Sequence, residues 1–135
     1  MTGARPPVDG QITFVYTTNL AAADAFYGGD LGLPLALDQG GCRIYRAAAG
    51  AYVGVCERPA EAIQAPDPAR RGVILTLVTD DVEGWHARLV ARGVAVEGPP
   101  AHSDAYRITH LFLRDPAGYL LEIQRFDDPD WDAAP

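Results

Sequence analysis

The chain has 135 residues, 48% of them hydrophobic and 21% charged, a composition that suits one compact unit or two small modules sharing a core. Eighteen acidic against eleven basic side chains give a formal charge of −7, which repels phosphate backbones and sets nucleic-acid binding aside. No apolar run approaches the roughly 18 residues that span a bilayer, and no signal-peptide pattern opens the chain, so no membrane partner is expected and the cytoplasm is the expected compartment.

In chain order, Gln11 to Thr18 alternates with β-branched and aromatic residues and predicts a strand. Asn19 then caps a helix whose apolar residues Leu20, Ala23, Phe26 and Tyr27 recur at three- and four-residue intervals, with Gly28-Gly29 as its stop. Leu33 to Leu37, Cys42 to Ala47 and Tyr52 to Glu57 read as three short strands separated by turns at Gln39-Gly-Gly41 and Ala48-Ala-Gly50. Cys42 and Cys56 form no CxxC pair and sit among apolar neighbours, so they read as buried thiols. Arg58 to Arg71, with three prolines and no sustained period, reads as a linker.

Beyond it the same order begins again. Val73 to Thr79 predicts a strand, and Asp80-Asp81 starts a helix over Val82 to Ala91 with Trp85, Leu89 and Val90 as apolar residues, Trp85 in the core and His86 on the solvated side. Gly93 ends that helix, and Val94 to Val96, Arg107 to Arg114 and Tyr119 to Phe126 supply the last strands, the final two joined by the turn Asp115-Pro-Ala-Gly118. Thr17-Thr-Asn-Leu20 superposes on Thr79-Asp-Asp-Val82 with a shift of 62 positions, from 20 to 82, a degenerate internal repeat. The expected division is therefore a first β-α-β-β-β module over 1–57, a linker over 58–71, a second module over 72–127 and an acidic tail over 128–135. The fold class is α+β, with two modules forming a curved mixed-sheet cup whose helices lie outside and whose concave side takes a small ligand. The end of the chain from Asp127 to Pro135 holds four aspartates and is expected to be exposed, with Trp131 as an anchor onto the body or a second subunit.

Three stretches, Asn19-Leu-Ala-Ala-Ala-Asp-Ala-Phe-Tyr27 with Leu31-Gly-Leu33, Val78-Thr-Asp-Asp-Val82, and Phe112-Leu-Arg-Asp-Pro-Ala-Gly-Tyr-Leu-Leu-Glu122, resemble the glyoxalase, bleomycin-resistance and extradiol-dioxygenase superfamily, also called the vicinal oxygen chelate fold. The resemblance runs from about Gln11 to Phe126. It implies a homodimer and, in the enzymes, a metal held by inward histidine, glutamate or glutamine side chains on the first and last strands of each module. Carried onto this chain, those positions fall on Ile12, Ile74, Gly54 or Val55, and Glu122. Only Glu122 offers a lone pair, and one carboxylate does not hold Zn²⁺, Fe²⁺ or Mn²⁺, so neither metal nor other cofactor is expected.

Strand alternation places His110 and Phe112 beside Glu122, with Leu111 and Leu113 packed beneath the helices. His110 and Glu122 are the candidate acid/base couple; a histidine satisfied by the backbone is the plain alternative. Phe14, His102, Tyr106, Arg107 and Phe112 complete the candidate ligand-binding set, His102 to Arg107 lying in a polar loop from Pro99 to Arg107. No nucleophile elbow is present, Ser103 is the only serine, and no phosphate-binding glycine loop occurs. The reading is a metal-free binding protein for a small molecule, a drug or natural product of cationic or aromatic character, of the kind that confers antibiotic resistance by sequestration. The alternative is an enzyme on the same fold: a metal-independent isomerase, lyase or cyclase using His110 and Glu122, or a metal-dependent lyase or dioxygenase.

Overall fold

The computed structural model describes residues 5–63 and 73–132. Its chain divides after Ile63 into two compact units. The first contains strand β1 (Gln11–Thr17), helix α1 (Leu20–Asp24) continued by a π-helical turn over Ala25–Asp30, then β2 (Leu35–Asp38), β3 (Cys42–Ala48) and β4 (Ala51–Glu57). The second contains β5 (Ile74–Val78), α2 (Val82–Ala91), β6 (Val96–Ser103), β7 (Ile108–Arg114) and β8 (Leu120–Phe126). Each unit builds one mixed four-stranded sheet of the same topology, β1-β4-β3-β2 and β5-β8-β7-β6, in which the first and last strands of the unit pair in parallel. These are the two β-α-β-β-β modules expected from the repeat. No helix among the described residues is long and apolar enough to cross a membrane.

Local chemistry explains the helix starts. Asn19 Oδ1 accepts the Ala22 N–H at 3.0 Å and Asp81 Oδ1 accepts that of Gly84 at 2.9 Å, each satisfying a donor that the first helical turn leaves unpaired. A side chain at Gly84 would meet the Asp81 carboxylate in its present position, so that carboxylate would have to shift to accommodate one. Gly28-Gly29 does not stop the first helix. The turn runs on through both to Asp30, and the reversal comes at Gly32, whose φ of +67° only glycine adopts readily. Tyr27, fully buried, stacks on Tyr45 of β3 with ring centroids 5.8 Å apart, and the Tyr45 hydroxyl donates to Asp24 at 2.6 Å. Burial foremost, then the neighbouring Asp24 carboxylate, pushes that phenol well above its ordinary range.

Alternation then divides each sheet into two faces. In the first, Val15, Val53, Val55 and Tyr45 are buried on the face that carries α1, while Ile12, Phe14 and Tyr16 of β1 are exposed on the other. In the second, Leu75, Leu111, Leu113, Leu121 and Ile123 are buried with Val82 and Leu89 of α2, which amounts to roughly 1.5–3 kcal/mol for each fully buried aliphatic side chain. Trp85 is only half-buried and Val90 is exposed, so Val82, not either of these, joins Leu89 in forming the buried stripe of α2.

Two further sequence expectations differ from the structure. Cys42 and Cys56 are not free thiols: they lie directly opposite one another on β3 and β4, Cα atoms 4.1 Å apart, and form a disulfide. That separation is the narrow spacing of an antiparallel pair that exchanges no backbone hydrogen bonds. Pro99 to Ser103 are not loop. They extend β6 along β7, with a register shift between Glu97 and Ala101, and β6 is an edge strand where prolines cost no ladder hydrogen bond. The turn Asp115–Gly118 forms as expected, Gly118 at φ +96° and the Asp115 carboxylate accepting the N–H groups of Ala117 and Tyr119 at 2.9 Å each. Of the linker, Ala60–Ala62 form a single 3₁₀ turn, and residues 64–72 lie outside the described residues.

Candidate functional site on the open face of the second sheet

The face of the second sheet turned away from α2 is polar at its centre. Register places Glu122 between Thr76 of β5 and Phe112 of β7, and Gln124 beside His110, and residues opposite one another in a sheet share a face. Thr76 Oγ1 donates to Glu122 Oε1 at 2.9 Å, and His110 Nδ1 lies 2.6 Å from Glu122 Oε2. With its amide nitrogen turned to the carboxylate, Gln124 donates to both oxygens at 3.0 Å. Three side chains on three strands thus converge on a carboxylate that is 8% exposed.

Such burial would be costly for an isolated charge, and the three donors offset it. An ionised carboxylate only accepts, so the proton shared with His110 resides on Nδ1. The ring's Nε2 makes no hydrogen bond among the described residues. Glu122 is occupied by these three donors, and its bond to Nδ1 orients the His110 ring. Phe112 stands edge-on to the His110 ring with centroids 5.0 Å apart.

The other candidate residues are dispersed. His102 pairs with Thr109, not with His110's row, so it lies on the opposite face of the sheet. There its Nδ1 is 3.0 Å from Asp127 and its Nε2 3.0 Å from Asp104. Tyr106 is 76% exposed in the turn before β7. Arg107, in the left-handed region at φ +51°, ion-pairs with Asp128 at 3.7 Å and accepts the Asp127 N–H on its carbonyl. Phe14 belongs to the first unit, where its ring covers Gly54 so closely that any side chain at 54 would overlap it. Within their modules Phe14–Gly54 and Thr76–Glu122 are corresponding pairs of first and last strand, an aromatic platform in one and a carboxylate cluster in the other. The concavity lined by Thr18, Glu57, Arg58, Pro59 and Ala60 is likewise in the first unit and contains none of the candidate residues.

Thr76 and Gln124 were missed by sequence reasoning, although the period of two marks both: each is two residues along its strand from a position already read as facing the ligand side, Ile74 and Glu122. Phe126, two further along, was also missed. Trp131 stacks on it with ring centroids 3.8 Å apart and planes 9° from parallel. The chain returns there by a turn in which Asp128 accepts the Asp130 N–H on its side chain and the Trp131 N–H on its carbonyl.

Asp127 anchors that turn. Its carboxylate accepts from Thr109 at 2.7 Å and from Arg125 Nε at 2.9 Å, and these two, the threonine first, hold its pKa down from 3.8 to about 2. A carboxyl depressed on folding contributes stability above its unfolded pKa and loses it as pH falls through the folded one. The contribution therefore disappears between about pH 4 and pH 2. In a Trp85→Phe background, Trp131 emission is expected to change across that window, and Asp127→Asn to abolish the transition; an identical acid profile in the Asn variant would refute the anchor.

A family model described as the glyoxalase/bleomycin resistance protein/dioxygenase superfamily matches residues 10–123. The chain belongs to that superfamily. Among solved structures, a glyoxalase/bleomycin resistance protein/dioxygenase from Nocardioides is 21% identical at a TM-score of 0.72, over 95% of this chain and 88% of that one. Lactoylglutathione lyase from Agrobacterium tumefaciens is 25% identical at 0.67, over 90% and 96%. TnmS3, an antibiotic binding protein from a Streptomyces species, is 24% identical at 0.69, over 93% and 98%. No curated protein matches the chain. Superfamily membership leaves the chemistry open, since enzymes and binders share the fold. The metal of the superfamily's enzymes does not fit these residues: Ile12, Ile74 and Gly54 have no donor atom, Glu122 is already shared among three donors, and no group of three or more His, Cys, Asp or Glu side chains among the described residues is placed to hold an ion.

Proposed function

We propose that this superfamily member is a metal-free small-molecule binding protein, of the drug- or antibiotic-sequestering kind, that receives a cationic aromatic ligand on the open face of its second sheet. The observation that carries the reading is the Glu122 cluster, which occupies His110 Nδ1; in this reading the ring is neutral and Nε2 accepts from the ligand, with the carboxylate behind it. A ring-borne N–H⁺ donor meets both requirements, and Phe112 supplies an apolar edge. The overall charge of −7 attracts such cations, and an antibiotic binding protein stands among the structural neighbours. A cytoplasmic site of action and a homodimer belong to the same proposal.

The test is calorimetric titration of the protein, in the presence of a chelator, with a panel of aromatic amines and natural-product cations. His110→Ala is expected to weaken binding ten- to a hundredfold, the loss of one charge-assisted hydrogen bond. Indifference of the wild-type protein to every cation in the panel would reject the reading.

The 2.6 Å His110–Glu122 contact also favours a second reading, an enzyme in which His110 takes a proton from its substrate while Glu122 stabilises the imidazolium. The two separate on the same variant. A catalytic His110 predicts lost turnover with affinity preserved within about tenfold, whereas a binding His110 predicts that affinity itself falls.

A further inference from the structure

Trp131 is not one of the candidate ligand-binding residues and lies in a stretch that reads from sequence as an exposed acidic tail. Its placement is not that of a loose tail. Asp127 is held by Thr109 and Arg125, its N–H by the Arg107 carbonyl, Asp128 by Arg107, and the Trp131 N–H by the Asp128 carbonyl. These bonds lay the indole flat on Phe126.

Phe126 follows Glu122 and Gln124 on β8 at two-residue steps and opposes Ile108, which is two residues before His110. It therefore shares the face of the Glu122 cluster. The indole, stacked on it at 3.8 Å, stays 51% exposed. Along β7 the aromatic groups thus bracket the polar centre. Phe112 is on one side of His110, and the Phe126–Trp131 stack is level with Ile108 on the other. Rows 108 and 112 are four residues apart, about 13 Å along a strand. A single six-membered ring donating to His110 Nε2 is too short to reach both, while a fused system on the order of 10 Å long comes within reach of them. Asp130 and Asp132 flank Trp131 in sequence, and their negative charge favours a cationic ring system there.

We propose that Trp131, stacked on Phe126, is a specificity-determining residue that selects planar fused-ring cations over single-ring ones for the face carrying His110. The inference rests on the binding reading above and names the ligand class within it.

The experiment compares 9-aminoacridine with 4-aminopyridine, two cations with the same exocyclic amine and ring nitrogen but different ring area, by calorimetry on the full chain at neutral pH. The wild-type protein is expected to prefer the acridine by more than tenfold. Trp131→Ala should lose most of that preference by weakening acridine binding five- to tenfold while leaving aminopyridine unchanged, and Trp131→Phe should restore it in part. His110→Ala should weaken both ligands together. Unaltered acridine affinity in Trp131→Ala, with His110→Ala still weakened, overturns the role of Trp131 and leaves the binding reading standing. Affinities insensitive to His110→Ala, or a wild-type protein that binds neither compound, overturn the binding reading and the Trp131 inference with it.

Discussion

Replacing Cys42 and Cys56 together by alanine is expected to lower the unfolding free energy of the first unit by about 3 kcal/mol, the chain-entropy value for a closed loop of about 15 residues. The two cysteines are 14 positions apart and bridge β3 to β4 at the end remote from their connecting turn. In the unfolded chain that bridge removes conformations that the turn alone leaves accessible, so its loss is felt mainly in the unfolded state. Chemical denaturation with and without a dithiol reductant measures the effect. The reduced wild-type protein and the double-alanine variant should unfold at a similar, lower denaturant concentration than the oxidised protein. Two freely alkylatable thiols in the untreated protein, with one midpoint under both conditions, would dispose of the bridge. A cytoplasm keeps such thiols reduced, so the bridge also bears on the compartment: reduced protein there should be the less stable form.

Glu122→Ala is expected to have the second large effect, on stability and binding at once. The carboxylate is the shared acceptor for Thr76, His110 and Gln124. Its removal leaves three donors around a small hole on a half-buried face, for a cost on the order of 2–4 kcal/mol. Thr76→Val removes one of the three donors and should cost only about 1 kcal/mol. Glu122→Ala also frees the His110 ring from its fixed orientation, so a ligand bound through Nε2 should be weakened at least as much as by His110→Ala. Denaturant midpoints and calorimetric affinities of the two variants give both quantities. A Glu122→Ala protein as stable as wild type would mean that the cluster does not hold the face together.

How much of this was legible beforehand differs from element to element. The helix starts at Asn19 and Asp81 and the turn Asp115–Gly118 were readable because each is closed by hydrogen bonds between residues at most four apart. The parity that puts His110, Phe112 and Glu122 on one face was readable because a strand alternates with a period of two. The length of β6 was not. Pro99-Pro100 argues for a loop in any local reading, and only the edge position of the strand makes those prolines harmless. His102 was drawn toward the candidate site for the same reason: once Pro99–Ser103 is taken as loop, no pleat assigns its side chain to a face. The disulfide depended on the register of β3 against β4, which shifts between Arg46 and Ala48, and nothing in the spacing of two cysteines reports such a shift.

From its residues alone this chain determined the repeated β-α-β-β-β order, the two helix caps, the apolar faces, and the absence of donor atoms at Ile12 and Ile74, because propensity, capping and side-chain chemistry act within a few residues. Tertiary structure decided the three donors gathered on Glu122, the pairing of Cys42 with Cys56, and the return of Trp131 onto Phe126. Each of these joins residues through strand register or a folded-back end, and register is set by pairing between strands, which a local reading of either strand does not contain.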